Sequence, residues 1–292
     1  MSFIQNSKRA NGLLEIAPDY KGILSDVWGV VHNGQSVYQS SVDALAAYRA
    51  QGGRVVLITN SPRPNQGVRQ QLKKLGVRDD SYDEIATSGD VTRVLISKAE
   101  GPIFHLGPER DLPLFEGLDV ELCDGADAQT IVCTGLIDDN KETPQDYTHI
   151  LSAYVRRGVP FICANPDLVV ERGDRLIWCA GSLARLYEQL GGVTRVAGKP
   201  HKPIYDLAFE KLQSVSKEEL AKSDALAIGD GMPTDVAGAQ SNGYDLLYIS
   251  AGIHSGEYGD PDAPDEKALY GFLDKNGATP NFWMPRLSWE ST

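Results

Sequence analysis

Four short motifs place acidic, hydroxyl, amide and ammonium groups beside glycine or proline, and each is predicted at the end of a strand. They are SDVWG at 25–29, TNSP at 59–62, GKPHKP at 198–203 and GDGMPTD at 229–235. In open α/β sheets, ligands bind at the carboxyl ends of the strands. Because all four motifs are predicted at that edge, we expect them to form a single site although they lie far apart in the chain.

The carboxylates of these motifs have the chemistry of a nucleophile and of a cation site. Asp26 follows a buried strand and precedes a glycine, which suits a nucleophile or a metal ligand. Asp230 and Asp235 flank a glycine-rich turn between a strand and a helix, which suits a hard cation such as Mg²⁺. A structural alternative is open, in which Asp26 caps a helix or turn and Asp235 caps the helix that it opens.

The other two motifs carry groups that bind anions. Thr59 and Asn60 offer a hydroxyl and an amide at a strand end, and backbone N–H groups of the following turn can bind anion oxygens. Lys199 lies between a glycine and a proline at the entrance to a helix, where its ammonium can hold a phosphate against a carboxylate nucleophile. Alone, each motif is also compatible with an ordinary turn or a solvated lysine.

The elements around these motifs alternate between short apolar runs and amphipathic segments, which predicts an α/β fold with a parallel sheet. Strands are predicted at 22–27, 54–59 and 225–229, beside three of the motifs, and a last strand is predicted at 246–249. The helices predicted between them are 41–50, with Ser41 as the candidate N-cap, and 66–75, 90–99, 203–212 and 235–241.

A second set of elements is predicted within residues 100–191. Its strands are 102–105, 120–123, 130–135, 161–164 and 176–179, and its helices are 147–157 and 182–190. The aromatic segment PNFWMPRLSW at 280–289 is expected to pack on the core, with an oligomer contact as the alternative.

The composition limits the classes of protein to which the chain can belong. Its 292 residues, 41% apolar and 23% charged, are typical of a globular protein of two domains or one large domain. A net charge of −12 argues against nonspecific binding to nucleic acid or anionic membranes. The N-terminal residues lack the apolar stretch of a secretory signal, and no apolar run is long enough to span a bilayer. A cytoplasmic location is therefore expected.

The sequence contains four cysteines, none of them in a CxxC pair. They are Cys123, Cys133, Cys163 and Cys179, and each lies in or beside an apolar run. This arrangement favours buried, reduced thiols over a zinc site or a disulfide framework.

The four motifs, in this order, resemble those of the haloacid dehalogenase-like hydrolase superfamily, and their spacing is similar to that of its class IIA, or C2-capped, branch. That branch includes NagD-like sugar phosphatases, p-nitrophenyl phosphatases and pyridoxal phosphate phosphatases. Further similar segments are ATSGD at 86–90, NPD at 165–167 and AGSLARLYEQLGG at 180–192, so the resemblance covers nearly the whole chain.

The resemblance implies a division of the chain into two domains. Residues 1–99 and 192–292 would form a Rossmann-like catalytic core, and residues 100–191 would form an inserted, mobile α/β cap. Cap closure is expected to exclude water and to recognise the leaving group. A homodimer formed through cap contacts is expected from the resemblance alone.

The resemblance also implies roles for the acidic motifs. Asp26 is expected to attack the phosphorus and form an aspartyl-phosphate. Mg²⁺ is expected to bind Asp26, Asp230 and the backbone carbonyl of Trp28, while Asp235 binds the metal through water or orients Lys199. Because phosphoryl transfer depends mainly on positioning and charge neutralisation, this set of groups makes chemical sense.

The substrate is expected to be held by the remaining motifs. By the resemblance, Thr59 and Asn60 hold phosphoryl oxygens, and Lys199 bridges the nucleophile and the phosphate. Asn165 and Asp167 lie in a loop of the expected cap, where they either face the substrate or build an Asn-Pro-Asp turn.

The sequence departs from the family pattern at Trp28, where family phosphatases carry an aspartate that acts as general acid and then as base. An indole N–H only donates, so Trp28 cannot supply the acid–base catalysis that is typically worth ~10²–10⁴-fold, whereas its backbone carbonyl can still bind the metal. Three explanations are open. In the first, His32 or His201 replaces the acid, although each histidine can also be purely structural. In the second, turnover is slow and limited to esters with good leaving groups. In the third, the reaction is the hydrolysis of a phosphonate or a haloacid.

The leading hypothesis is a Mg²⁺-dependent phosphatase of a small cytoplasmic phosphate ester, such as a sugar phosphate or a pyridoxal phosphate-like compound. The alternatives are a phosphonatase or dehalogenase, and a catalytically weak relative that binds a ligand or partner. Haloacid dehalogenases carry an aromatic residue at the second position but do not need the metal acids, so Asp230 and Asp235 favour phosphoryl chemistry. Asp26 and Lys199 argue against a pure binding protein, because binding needs no nucleophile.

Overall fold

The computed structural model describes residues 7–173 and 175–290. Residues 1–6, part of the segment inspected for a secretory signal, lie outside the described residues. The strands are β1 (Lys8–Arg9), β2 (Gly22–Asp26), β3 (Arg54–Thr59), β4 (Glu84–Thr87), β5 (Ile103–Leu106), β6 (Thr130–Cys133), β7 (Phe161–Cys163), β8 (Val169–Arg172), β9 (Arg175–Trp178), β10 (Thr194–Val196), β11 (Ala225–Gly229), β12 (Asp245–Ile249) and β13 (Phe282–Met284). The α-helices are α1 (Leu13–Ile16), α2 (Gln39–Ala50), α3 (Asn65–Leu75), α4 (Ser88–Ile96), α5 (Thr148–Arg156), α6 (Ala180–Gln189), α7 (Lys202–Val215), α8 (Ala237–Asn242) and α9 (Glu266–Lys275).

The chain divides into two compact units. Unit 1 comprises Met1–Thr59, Arg69–Ala86 and Tyr205–Thr292, and unit 2 comprises Asn60–Val68 and Thr87–Ile204. The segment 100–191, predicted to be an inserted cap, falls within unit 2. Its assignment as a mobile cap stays a prediction.

The core of unit 1 is a seven-stranded sheet with the order β1-β13-β12-β11-β2-β3-β4. The pairings from β1 through to β3 in this order are parallel. Every residue of β2 and β11 is buried, as expected for central strands of a parallel sheet. The register pairs Asp26 with Ile58, and Ser25 with Ile228, so the carboxyl ends of β2, β3 and β11 lie side by side. The predicted α/β fold with a parallel sheet is confirmed.

Unit 2 is built on a four-stranded parallel sheet, β10-β7-β6-β5, with a separate antiparallel hairpin, β8–β9. Successive residues of β6 point to opposite faces, as in any strand. Ile131 packs with buried residues of α5 and α6, such as Leu151 and Leu183, whereas Val132 packs with Ile96 of α4. Helices and loops therefore cover both faces of this sheet.

Some sequence predictions of local structure are wrong. Residues 120–123 form no strand but a single bridge between Leu122 and Ile103, and Leu122 is 43% exposed. Helix α2 has Tyr38 as its N-cap, and Ser41, the predicted cap, is buried inside the helix. Among the described residues, seven strands and α-helices were not predicted, namely β1, β4, β8, β10, β13, α1 and α9. Apart from α9, each of them spans four residues or fewer, which is too short for a periodic pattern to be recognised.

The aromatic C-terminal segment packs on the core of unit 1, as predicted. Its residues Phe282–Met284 form β13, which pairs with β12 and β1. Trp283 is fully buried and donates its indole N–H to the Tyr270 hydroxyl at 3.1 Å. The segment is thus a strand of the main sheet.

All four cysteines are free thiols, and three of them, Cys133, Cys163 and Cys179, are buried, in agreement with the sequence prediction. Burial raises the pKa of the Cys163 thiol to about 12, so this group stays protonated. No helix within residues 7–173 and 175–290 has both the length and the apolar character needed to cross a bilayer.

Candidate active site

Three acidic residues of the predicted motifs lie together in unit 1. Asp26, Asp230 and Asp235 each offer a carboxylate oxygen, and these oxygens all lie within 4.8 Å of one another. The three residues are 6%, 4% and 4% exposed, respectively. The adjacent strands β2 and β11 bring Asp26 and Asp230 to the same edge of the sheet, and the turn after β11 returns Asp235 to it.

The backbone orients Asp26 at the end of β2. The N–H of Val27 donates to Asp26 Oδ1 at 2.7 Å, and the hydroxyl of Ser25 donates to the Asp26 carbonyl at 2.9 Å. Thr59 ends β3 one residue beyond Ile58, the partner of Asp26 in the register, and it is 6% exposed. The hydroxyl predicted to bind an anion therefore belongs to a residue at the same sheet edge as the carboxylates.

Two glycines make room for Asp230. A Cβ on Gly29 or on Gly252 would collide with Asp230 Oδ2. Gly29 also has a φ of +88°, a left-handed conformation that favours glycine. The N–H of Ile253 donates to the same carboxylate at 2.8 Å. The glycine of the SDVWG motif thus allows the close approach of Asp230, which lies 201 positions later in the chain.

Asp235 lies in a turn that Gly229 and Gly231 make compact. Residues Met232–Val236 form a single π-helical turn before α8, a feature often found at functional sites. The N–H of Gly231 donates to Asp235 Oδ2 at 3.1 Å, and a Cβ on Gly229 would collide with the Asp235 carboxyl group. Because the N-cap of α8 is Val236, the alternative in which Asp235 caps this helix is wrong.

The carboxylate cluster fits a divalent cation. Three carboxylates within 4.8 Å of one another that have lost most of their hydration repel one another, so a positive charge beside them is stabilising. Their donor atoms are all oxygens, the donor type that Mg²⁺ prefers. Asp26, Asp230 and Asp235 are therefore the side chains that would hold the predicted Mg²⁺.

Replacing Asp230 with Asn is expected to weaken Mg²⁺ binding to the purified protein. The amide oxygen still accepts from Ile253 N–H, so the fold around it is retained while one negative charge is removed. Calorimetric titration should show at least the ~10- to 100-fold loss of affinity that even outer partners of a metal site produce. Asp274→Asn, which changes an exposed carboxylate on α9, is the control. Equal Mg²⁺ affinity in both variants would refute the ligand assignment.

Trp28 follows Asp26 by two residues, and its side chain packs within its own loop. Its ring lies edge-on to His32, with centroids 5.0 Å apart, and a Cβ on Gly34 would collide with the indole. The N–H of Gly29 donates to the His32 carbonyl at 2.9 Å, which closes this loop. The Trp28 indole is therefore held against His32 and Gly34.

The two histidines considered as replacement acids have different surroundings. His32 is 2% exposed and its Nδ1 accepts the N–H of Gly34 at 2.9 Å. Burial lowers the pKa of His32 to about 4, so its imidazole is neutral at physiological pH and is a weak proton donor. His201 is exposed, and its backbone N–H donates to the Gly198 carbonyl at 2.9 Å, which tightens the turn around Lys199.

The remaining motif residues lie in unit 2, where Asn60, Asp167 and Lys199 are joined by hydrogen bonds. The Lys199 N–H donates to Asn60 Oδ1 at 2.7 Å. Asn60 Nδ2 donates to Asp167 Oδ1 at 2.8 Å and lies 3.4 Å from the Lys199 carbonyl. Asn60 and Lys199 are 3% and 2% exposed. The fold thus joins the Asn60 side chain to the backbone of Lys199 and to the carboxylate of Asp167 in the predicted cap loop.

The NPD segment at 165–167 forms the turn that the sequence suggested. Asn165 Oδ1 accepts the N–H of Asp167 at 3.1 Å, an arrangement typical of Asn in turns. A Cβ on Gly181, at the start of α6, would collide with the carbonyl oxygens of Pro166 and Asp167. The glycine of the AGS segment therefore lets this turn pack tightly on α6.

The ATSGD segment at 86–90 supports the loop that follows β3. Thr87 caps α4 by accepting the N–H of Asp90 at 2.9 Å, and Asp90 in turn accepts the N–H of Asn65 at 3.1 Å. The N–H of Gly89 donates to the Ser61 carbonyl at 3.0 Å, and a Cβ on Gly89 would collide with the backbone of the same loop. These contacts hold residues 61–65 against the N-terminus of α4.

Comparison with known proteins relates this geometry to a family. A haloacid dehalogenase-like hydrolase model matches residues 23–121, and a HAD-hydrolase-like model matches residues 196–269. The crystal structure of a hydrolase of the haloacid dehalogenase-like family from Brucella suis 1330 is 47% identical in sequence. It covers 96% of this chain and 99% of its own, with a TM-score of 0.85. The chain belongs to the haloacid dehalogenase-like hydrolase family.

Two further proteins are similar to this chain over most of its length. NagD from E. coli K-12 has a TM-score of 0.67 at 20% identity, and the match covers 91% of this chain and 96% of that one. The acid sugar phosphatase of Staphylococcus aureus (strain USA300) is 25% identical over 265 residues, which is 89% of this chain and 96% of the relative. The predicted class IIA, NagD-like fold is confirmed.

Sequence reasoning missed the segment that follows β12 in this hydrolase. The N–H of Ile253 reaches Asp230, and His254 Nε2 accepts the N–H of Met232 at 3.1 Å in the turn that carries Asp235. Burial lowers the pKa of His254, which favours the neutral ring that this bond requires. The sequence position of the segment could have indicated it, because the segment follows the carboxyl end of another strand of the parallel sheet, where ligands bind.

Proposed function

We propose that this chain is a Mg²⁺-dependent phosphatase that hydrolyses a small phosphate ester through an aspartyl-phosphate on Asp26. The observation that carries the proposal is the cluster of Asp26, Asp230 and Asp235 at the carboxyl ends of β2 and β11, in a chain of the haloacid dehalogenase-like family. The printed name of the S. aureus relative, acid sugar phosphatase, supports phosphoric monoester hydrolysis.

The proposed reaction consists of two displacements at phosphorus. In the first, a carboxylate oxygen of Asp26 forms a bond to phosphorus and the bond to the ester oxygen breaks, so that this oxygen leaves with the electron pair and takes a proton from solvent to give the alcohol. In the second, water attacks the aspartyl-phosphate and gives up a proton to solvent, Asp26 is released as a carboxylate and inorganic phosphate forms. Val27 N–H holds one Asp26 oxygen at 2.7 Å, which limits rotation of the carboxylate and prepares it for in-line attack.

The chain's own polar groups hold the phosphoryl group in this proposal. The hydroxyl of Thr59 and the backbone N–H of Asn60 bind phosphoryl oxygens, and the buried ammonium of Lys199 neutralises their charge. Asp26 and Asp230, with the backbone carbonyl of Trp28, would hold Mg²⁺ directly, and Asp235 would do so through water or would orient Lys199. When bound, Mg²⁺ supplies positive charge that screens the nucleophile from the anionic phosphate.

The leaving-group side of the site has no assigned proton donor. Trp28 occupies the family's acid position, and His32 is neutral at physiological pH because its pKa is about 4. We therefore propose that sugar phosphates and pyridoxal phosphate-like esters, whose alcohol leaving groups need a proton, are hydrolysed slowly, and that esters with good leaving groups are hydrolysed faster. The mobile cap at 100–191, the cytoplasmic location, the homodimer and the absence of nucleic-acid or membrane partners remain predictions. Asn165 and Asp167 remain candidates for substrate contact.

A second candidate function rests on Trp28 alone. A relative without the general acid can persist as a ligand- or partner-binding protein, or it can catalyse phosphonate or haloacid hydrolysis. The retained Asp230 and Asp235 favour phosphoryl chemistry over dehalogenation. A binding protein needs neither the nucleophile Asp26 nor a buried lysine such as Lys199.

A phosphate-release screen tests the proposal. With Mg²⁺, the wild-type protein is expected to release phosphate from at least one member of a panel of sugar phosphates, pyridoxal phosphate and p-nitrophenyl phosphate. Chelation with EDTA should abolish this release and excess Mg²⁺ should restore it. Release no higher than that of Asp26→Asn for every ester would exclude the phosphatase function, and metal-independent halide release from 2-haloacids would favour dehalogenation.

A further inference from the structure

The side-chain amide of Asn60 is occupied by two partners of unit 2. Its oxygen accepts the Lys199 N–H at 2.7 Å, and its Nδ2 lies 3.4 Å from the Lys199 carbonyl. One primary amide thus pairs with both backbone groups of a single residue. Nδ2 also donates to Asp167 Oδ1 at 2.8 Å, so both ends of the amide have a partner.

Asp167 determines which way this amide points. An ionised carboxylate only accepts hydrogen bonds, so it must face Nδ2 of Asn60 and not Oδ1. With Nδ2 turned toward Asp167, Oδ1 faces the Lys199 N–H, which needs an acceptor. In the opposite orientation, the amide would present oxygen to a carboxylate and nitrogen to an N–H donor, and both bonds would be lost.

Close packing leaves the Lys199 backbone little freedom to move relative to Asn60. Gly198 has a φ of +88°, and a Cβ there would lie 2.6 Å from Asn60 Oδ1, 2.8 Å from Ser88 Oγ and 3.0 Å from Pro166 Cδ. The turn that carries Asp167 is itself closed by the bond from its N–H to Asn165 at 3.1 Å. Because Lys199 is 2% exposed, solvent cannot substitute for the Asn60 amide.

We propose that Asn60 and Asp167 are positioning residues for Lys199: the Asn60 amide clamps the Lys199 backbone, and the Asp167 carboxylate holds that amide in the required orientation. The inference rests on the proposed function only in that Lys199 is taken as the cation for the phosphoryl group. It gives Asp167 a role that does not depend on the identity of the leaving group. It also explains why Gly198 lies against Asn60 and the NPD turn, since a side chain at position 198 would displace the amide and the turn that hold Lys199.

Kinetics of Asp167→Ala separates positioning from contact with the leaving group. The two substrates are p-nitrophenyl phosphate and a sugar phosphate that the wild type hydrolyses, because their leaving groups differ. We expect kcat to fall by ~10- to 100-fold for both, because misplacing a charged group such as the Lys199 ammonium by about 1 Å has this effect. The Ki of inorganic phosphate, which has no leaving group, should rise. A loss confined to one ester, with an unchanged Ki, would assign Asp167 to leaving-group recognition and overturn the inference.

Two variants serve as controls for this measurement. Asp167→Asn keeps an oxygen that can accept from Asn60 Nδ2, so it is expected to recover most of the activity lost in Asp167→Ala. Asp127→Ala removes an exposed carboxylate from the same unit and should match the wild type. An Asp167→Asn protein as impaired as Asp167→Ala would contradict a role based on hydrogen bonding.

Hydrogen exchange at the Lys199 N–H tests the clamp without turnover. With ¹⁵N-lysine labelling of the full chain and Lys199→Arg for assignment, exchange should accelerate by at least ~10-fold in Asp167→Ala and not in Asp127→Ala. Unchanged exchange in folded Asp167→Ala would overturn the inference. If exchange accelerates in Asp167→Ala but the wild type hydrolyses no ester, the proposed function is contradicted and the inference about the clamp stands. If Asp167→Ala does not fold, Asn60→Ser serves instead, because it removes the same clamp. It is expected to accelerate exchange at the Lys199 N–H by the same factor. Unchanged exchange in folded Asn60→Ser would likewise overturn the inference.

Discussion

Asp26→Asn is expected to abolish phosphate release, with a loss on the order of 10⁴-fold or more, the scale seen when a catalytic nucleophile is removed from another enzyme. An amide oxygen is a poor nucleophile, so the first displacement at phosphorus fails. The substitution preserves the size of the side chain, and the amide oxygen can still accept the Val27 N–H. The measurement is phosphate release at saturating ester and Mg²⁺.

A control variant and a melting-temperature measurement show whether the loss of turnover in Asp26→Asn is due to the missing nucleophile. Asp19→Asn changes an exposed carboxylate just before β2 and should retain wild-type turnover. In metal-free buffer, the Asp26→Asn protein should melt at a higher temperature than the wild type, because one of three mutually repelling buried carboxylates is gone. Turnover at a tenth or more of the wild-type rate would show that Asp26 is not the nucleophile.

Trp28→Asp is expected to raise the rate for esters with poor leaving groups. A carboxyl group at this position can protonate the departing oxygen and then accept a proton from water, a contribution typically worth ~10²–10⁴-fold. An activated ester such as p-nitrophenyl phosphate should gain far less, because its leaving group departs without a proton. The measurement compares kcat/KM for p-nitrophenyl phosphate and for an alkyl phosphate in both proteins.

Trp28→Asn is the matched control, since it removes the same indole and differs from Asp by lacking a titratable proton. The indole packs on His32 and Gly34, so both variants lose that packing, and thermal unfolding should show similar stabilities. An equal gain in Trp28→Asn would mean that added space, and not proton transfer, causes the effect. An unchanged or lower rate in a folded Trp28→Asp protein would refute our account of position 28.

Local sequence patterns were sufficient to predict the acidic cluster. Asp26 and Asp230 each end an apolar run, and runs such as GIL and ALAI are typical of strands buried on both faces of a parallel sheet. Parallel strands present their carboxyl ends at one edge, so two such acids are expected to be neighbours. The same reasoning failed at Ser41, because a favourable capping residue also fits inside a helix that begins two residues earlier.

The sequence by itself determined the α/β class, the ends of β2, β3 and β11 and the residues with reactive groups, because periodicity and spacing are local properties of the chain. The resemblance of its motifs to known ones indicated the family. Only the tertiary structure decided which groups pair: Gly29 gives space to Asp230, and the Asn60 amide, offered by the sequence as a phosphate ligand, pairs with Lys199 and Asp167. Hydrogen-bond partners 107 and 139 residues apart depend on how the elements pack in three dimensions. Residue types alone do not specify that packing.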